Sequence, residues 1–236
     1  SLNNKFLWFY KFLFKGVDKI IVQTQKSKLW LIDKFSYANI AVIPNPVIYP
    51  LPSGDDRSTK PDNFISSGKK ILLASGRLHK FKQFDLLIRA FNNIKDHHKA
   101  WNLVILGDGE EKDNLEHLIR KLNLEERVFL PGKVSNISDW YKESNLFVLS
   151  SFVEGFPNVL LEAMSYGLPV VSFDCDTGPR DIIEQGVNGI LVSTSEKEIG
   201  LIEALDKMMS DSQFRISAGH QAVQVREKFS ITNIME

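Results

Sequence analysis

One cysteine, Cys175, is all the thiol chemistry available to this 236-residue chain. It cannot close an internal disulfide, so nothing points to an oxidising compartment, and a reducing cytoplasm is the expected setting. Excess charge is missing too. The 29 basic side chains are matched by 29 acidic ones, so the chain lacks the electrostatic footprint that duplex nucleic acid requires, and no nucleic-acid partner is expected. No run approaches the roughly 18 consecutive apolar residues of a membrane-spanning helix. Histidine offers no ligand spacing: His97 and His98 are adjacent and face different ways, while His79, His117 and His220 stand alone, so no metal site is expected from them. Two phosphate-binding fingerprints are also absent. Gly107-Asp-Gly does not complete G-x-G-x-x-G, because position 112 is lysine, and no G-x-x-x-x-G-K-[ST] occurs; the usual dinucleotide and ATP readings lose support.

What is present is an ordinary globular composition, 43% hydrophobic and 25% charged, far from the signature of disorder. Short runs rich in Ile, Leu and Val alternate with longer amphipathic stretches. Strands are expected at 19–23, 40–43, 70–74, 102–106, 128–130, 146–149, 169–173 and 190–192, continuous in hydrophobicity as buried parallel strands are. Helices are expected at 82–96, 110–122, 138–143, 157–166, 179–185, 196–209 and 211–229. Strand and helix in regular alternation predict an α/β fold with a Rossmann-like, doubly wound parallel sheet.

The rhythm breaks between residues 46 and 68, where Pro46, Pro50, Pro52 and the run from Ser53 to Pro61 read as a linker. Residues 69–236 then form the main domain. Residues 1–45 hold too little to bury a core of their own and read as the tail of a preceding domain, largely absent. Within that tail, the stretch from Lys5 to Lys15 is aromatic and basic. It is read either as a helix whose aromatic face meets a partner or as a patch lying on an anionic membrane.

Ligands of open α/β sheets bind beyond the carboxyl ends of the strands. Five consecutive strand ends carry glycine or charge there: Gly76-Arg77-Leu-His-Lys-Phe-Lys82, Gly107-Asp-Gly-Glu-Glu111, Gly132-Lys133-Val134, Ser150-Ser-Phe-Val-Glu154-Gly155-Phe156, and Asp174-Cys-Asp-Thr-Gly178. Arg77 and Lys82 could neutralise two phosphates. Pro157 suits the first position of a helix, and the amides after it suit an anion such as a diphosphate. Asn158 and Glu162, four apart, project from one face of that helix. A carboxylate within Val-Leu-Leu-Glu-Ala-Met is an expensive place for charge, which reads either as an acceptor for sugar hydroxyls or as a solvated glutamate. Asp174-Cys175-Asp176 spells a D-x-D after the fifth strand, two carboxylates that could hold a metal. Cys175 reads as a small apolar filler.

In series, Gly76-Arg77-Leu with Lys82 and Phe84-Asp85-Leu-Leu-Ile, Leu106-Gly-Asp-Gly, Glu154-Gly-Phe-Pro-Asn-Val-Leu-Leu-Glu162, Gly167-Leu-Pro-Val-Val and Thr177-Gly-Pro resemble the donor-binding half of family 4 retaining glycosyltransferases. The resemblance covers residues 69–195. It implies a GT-B architecture of two Rossmann-like domains across a cleft, with this chain supplying the C-terminal one. By the same resemblance, Arg77 and Lys82 grip the diphosphate of a nucleotide-sugar, a UDP-sugar in preference to a GDP-sugar. Glu154 contacts the transferred hexose and Glu162 the ribose. Gly76, Gly155, Phe156, Pro157, Asn158 and Val159 border phosphates or sugar, and Lys133 and Val134 border the base. No metal or other cofactor is implied. The acceptor, a glycan or a lipid-linked glycan in surface polysaccharide synthesis at the inner membrane face, belongs to the missing domain, so this chain is expected to bind donor weakly and not to turn over. One departure stands out: the family has glycine after the lysine, where this chain has Gln83. Other readings are a sugar-nucleotide epimerase, a phosphorylase, or a non-catalytic nucleotide-sugar-binding module. The acid-base carboxylates of the first and the pyridoxal-bearing lysine of the second do not stand out.

Overall fold

The computed structural model describes residues 16–37, 39–52 and 59–235; the aromatic-basic stretch at 5–15 lies outside them. The described chain opens with a small βαβ unit: β1 (Ile20–Val22), α1 (Gln25–Phe35) and β2 (Ile40–Val42). Its two strands pair in parallel, and Leu31, Phe35 and Ile40 form its own small core. Thr24 starts the helix by accepting a bond from the Ser27 amide at 3.1 Å, the usual work of a hydroxyl N-cap.

Six further strands make the main sheet. They are β3 (Lys70–Ser75), β4 (Trp101–Leu106), β5 (Val128–Gly132), β6 (Leu146–Leu149), β7 (Val170–Asp174) and β8 (Gly189–Ser193). All pair in parallel in the order β5-β4-β3-β6-β7-β8. Alternate residues of one strand enter different cores: Leu72 and Ala74 pack on one face, Ile71 and Leu73 on the other. With both faces covered, neither parity of the strand can be polar, and hence the runs are continuously apolar.

One face is covered by α2 (Phe84–Ile94), α3 (Lys112–Lys121) and, further along the chain, Lys197–Ser210. The other is covered by α4 (Ile137–Glu143), α5 (Asn158–Ser165) and the chain end, where Val225 and Phe229 are buried. The remaining helices are α6 (Pro179–Ile182), α7 (Lys197–Ser210), α8 (Ser212–Ala222), α9 (Val225–Lys228) and α10 (Ile231–Met235). The stretch read as a linker sets Val47, Leu51, Phe64 and Ile65 against the second core, and the Val47 amide bonds the Phe229 carbonyl at 2.9 Å.

The helix expected at 179–185 ends at Ile182, α1 forms where no helix was expected, and three further elements differ. The helix expected at 82–96 begins as a 3-10 turn at Lys80–Lys82 and restarts at Phe84, because Gln83 adopts φ 50°, ψ 39°, which no right-handed helix can pass through. The helix expected at 211–229 is two pieces, turning so that Val225 and Phe229 reach the core. Pro157 is the residue before α5 rather than its first turn: at φ −78°, ψ 95° it is extended.

Candidate functional site

The strand order reverses direction between β3 and β6, which leave one another in opposite senses around the sheet. At such a switch point the loops diverge and open a crevice. The loops after these two strands hold Lys82 and Glu154. Lys82 Nζ donates to Glu154 Oε1 at 2.6 Å, with the two side chains 23% and 11% exposed. The loops are also stitched by backbone: the Phe152 amide donates to the Phe81 carbonyl at 2.8 Å, and Ser150 Oγ donates to the Lys82 carbonyl at 2.7 Å.

Beside this pair lies a hollow of about 340 Å³ lined by Ser75, Gly76, Arg77, Leu106, Gly107, Asp108, Lys133, Val134 and Ile137. Its walls are the loops after β3, β4 and β5. These are laced together by Gly76 N to Leu106 O, Gly107 N to Gly132 O and Leu78 N to Asp108 O, each at 2.9 Å. The lacing brings backbones so close that a Cβ at Gly107, whose φ is +143°, would sit 1.8 Å from the Gly76 carbonyl oxygen. Glycine here is a requirement of packing as well as of any ligand. Gly76 joins the two parts of the site, since the Lys82 stem passes 3.3 Å from where its Cβ would be, while Arg77 follows it in the chain.

Arg77 is held loosely. Its Nη2 meets Glu110 Oε2 at 3.3 Å with 74% and 46% exposure, and His79 Nε2 meets the other oxygen at 3.3 Å. A bond to its own backbone, with Arg77 and His79 adding, holds the Glu110 carboxyl below its usual range despite some desolvation.

Glu162 has a partner outside the Lys82–Glu154 pair. Its Oε2 accepts from Tyr141 Oη at 3.1 Å. Burial raises its pKa, with the Tyr141 bond acting in the opposite sense; burial and the nearby carboxylate push the fully buried Tyr141 phenol well up. Tyr141 sits on α4, whose first residue, Ile137, lines the hollow. Sequence reasoning missed Tyr141, since a partner 21 residues away is announced by no local spacing.

The loop before α5 is assembled from two motifs. Thr177 Oγ1 donates to the Glu154 carbonyl, and a Cβ at Gly178 (φ +95°) would lie 2.6 Å from Pro157 Cδ and 2.8 Å from the Gly155 carbonyl. The Phe156 side chain is core, edge-on to Phe229 at 5.7 Å, so only its backbone can serve the site. The first intrahelical bond of α5 runs from the Leu160 amide to the Pro157 carbonyl at 3.0 Å; the amides of Asn158 and Val159 precede it, at the positive end of the dipole.

The two aspartates of the D-x-D part company. Asp174 takes a two-point bond from Arg180 at 2.8 and 2.7 Å, and Asp176 pairs with Lys26 at 2.7 Å. Cys175 between them is buried, its thiol pushed up to about 11 by burial first and by Glu154 next. Two buried polar atoms have no hydrogen-bond partner among the described residues, Ser151 Oγ and Asn136 Oδ1. Asn136 precedes Ile137 of the hollow and Ser151 lies in the loop that carries Glu154.

A six-stranded parallel sheet with this order is a Rossmann-like α/β domain, and its structural neighbours are GT-B glycosyltransferases. The chain belongs to the glycosyl transferases group 1, whose family pattern matches residues 55–225. It is 34% identical over 213 residues to the amylovoran biosynthesis glycosyltransferase AmsD of Erwinia amylovora, covering 90% of this chain and 58% of that protein. It is 34% identical over 215 residues to the N-acetylgalactosamine-N,N'-diacetylbacillosaminyl-diphospho-undecaprenol 4-alpha-N-acetylgalactosaminyltransferase of Campylobacter jejuni, covering 91% of this chain and 56% of that enzyme. Among solved structures it resembles a TarM mutant from S. aureus in complex with fondaparinux, alpha-GlcNAc-glycerol and UDP, with a TM-score of 0.81, 27% identity, and 94% of this chain matched to 43% of that one. The chain thus spans about half the length of these relatives. Among the described residues, no helix is long and apolar enough to cross a membrane.

Proposed function

We propose that this chain is the donor-binding half of a retaining glycosyltransferase that moves a hexose-type sugar from a UDP-sugar, in preference to a GDP-sugar, to a glycan or lipid-linked acceptor of surface polysaccharide. The observation that carries the reading is the 2.6 Å Lys82–Glu154 pair at the switch point, one glycine away from Arg77. As the bond to the anomeric carbon breaks, negative charge develops on the leaving diphosphate. Lys82 and the first amides of α5 meet that charge from fixed positions, as a preorganised site lowers a barrier, and Arg77 adds its charge from the exposed loop. The scheme uses no metal. Glu154 turns its carboxylate to the hydroxyls of the transferred hexose, and Glu162 accepts from the ribose, held by Tyr141. Lys133 and Val134 border the base in the hollow.

The UDP preference leans on the UDP bound to TarM. The lipid-linked acceptor, with a peripheral position on the inner membrane face, leans on the diphospho-undecaprenol in the name of the Campylobacter relative. Acceptor recognition falls to chain outside these 236 residues, so alone they bind donor and do not turn over. Titration calorimetry with UDP and GDP tests the reading: UDP binds more tightly, and no heat from either at millimolar concentration overturns it.

A further inference from the structure

Three carboxamides form a line from the small βαβ unit to the start of α5. Gln23 Nε2 donates to Asn45 Oδ1 at 2.6 Å, and Asn45 Nδ2 donates to Asn158 Oδ1 at 2.8 Å. Gln23 follows β1, Asn45 sits between Pro44 and Pro46 after β2, and Asn158 is the first residue of α5. Each carboxamide has one accepting and one donating end, so a chain of them has a polarity. In this one, Asn158 spends its oxygen on Asn45, and its exposed Nδ2 remains to donate beside the Asn158 and Val159 amides. The other end of the line, Gln23 Oε1, lies 3.8 Å from the Cβ position of Gly155, so the relay begins and ends on the same loop.

We propose that Gln23 and Asn45 are positioning residues that hold the Asn158 carboxamide with its amino group outward, as a donor to an anionic phosphate oxygen at the start of α5. An anion at a helix N-terminus selects this polarity, because the reversed line would present an oxygen to it. The orientation of a donor-side group is therefore set from outside the six-stranded sheet, by the unit that precedes it. This inference rests on the nucleoside-diphosphate reading above and adds to it two residues that touch no ligand.

The test is a cycle of neutral substitutions in the full chain: Asn45→Ala, Asn158→Ala and both together, titrated with UDP and with uridine, alongside thermal melts. Each single substitution is expected to weaken UDP roughly 3- to 10-fold, the worth of one hydrogen bond, with uridine affinity unmoved. The double variant should bind UDP no worse than Asn158→Ala alone, because Asn45 acts only through Asn158. Gln23→Ala, one bond further back, should give a smaller loss of the same kind and guards against a misfolded Asn45 variant. Losses that multiply in the double variant, equal losses for uridine, or a lowered melting temperature with UDP affinity unchanged each overturn the relay while leaving the donor site standing. Wild-type chain that binds neither UDP nor GDP overturns the donor site itself, and the relay with it.

Discussion

Two cations flank Gly76 and are held in opposite ways. Lys82 is clamped between two stitched loops, in a 2.6 Å pair with a Glu154 that is 11% exposed. Arg77 reaches out to Glu110 at 3.3 Å with most of its side chain in solvent. Coulomb attraction is the same in kind for both, but water screens one far more than the other. The first pair is a part of the fold that is also placed for chemistry. The second lies in solvent, with little folding energy tied to it.

That contrast breaks most readily at Lys82. Lys82→Ala leaves a mostly buried carboxylate without its cation, and removes one of the charges facing the leaving group. We expect loss of folding stability of roughly 1–3 kcal/mol and, in the whole enzyme, a transfer rate lower by about 10²–10³. Chemical denaturation and a donor-hydrolysis or transfer assay measure the two. An unaltered stability would place Lys82 in the same class as Arg77.

Glu162 sharpens the comparison because it is half-buried and, among the described residues, pairs with a phenol rather than a cation. Glu162→Ala should weaken nucleoside diphosphate binding by on the order of 1–3 kcal/mol by leaving ribose hydroxyls unpaired. Folding is expected to respond with the opposite sign. The carboxyl's folded pKa is raised by burial above the ordinary 4.5, so its contribution to stability is present at low pH and lost as the pH rises through the raised value. Glu162→Gln keeps a partner for Tyr141 and cannot ionise. Its melting temperature should therefore exceed that of the wild type near pH 7, and the two should converge as the pH falls towards 4.5. Curves that stay parallel across that range remove the desolvation argument.

How far the sequence could be read follows the same division between local and distant causes. The six strands and the crevice were legible because burial on both faces leaves no polar parity, and because glycines and charges gather at one set of strand ends. Lys82 and Glu154, 72 residues apart, could be joined only by knowing which two strands neighbour each other at the reversal. The Tyr141–Glu162 bond depends on the mutual rotation of α4 and α5, which no spacing encodes. Pro157 was misplaced by one residue: proline is equally at home with an extended ψ just before a helix, and the Thr177–Gly178 loop packs on it there. Gln83, which departs from the glycine of the resemblance, takes a φ of 50°, a conformation that glycine adopts without strain. The chain must turn left-handed between the Lys82 turn and α2.

Smaller effects follow from that turn. Gln83→Gly relieves a left-handed conformation that costs a side chain roughly 1–2 kcal/mol, partly offset by glycine's greater freedom when unfolded. The net should be a stabilisation of up to about 1 kcal/mol, seen as a higher melting temperature with Lys82 still in place and UDP affinity unchanged. A destabilised variant would mean that the Gln83 side chain holds the loop by contacts that outweigh its strain.

The smallest expected effect is at Glu110, and it tests the other half of the opening contrast. Its carboxylate is shared between Arg77 and His79 in open solvent, so Glu110→Gln should leave the melting temperature where it was. Arg77, freed of a competing anion, then has only the diphosphate to satisfy, and UDP affinity should rise slightly, most visibly at low salt where the competing charge is least screened. A fall in affinity would show that Glu110 holds Arg77 ready for the ligand. A marked fall in melting temperature would show that the outer pair, like the inner one, belongs to the fold.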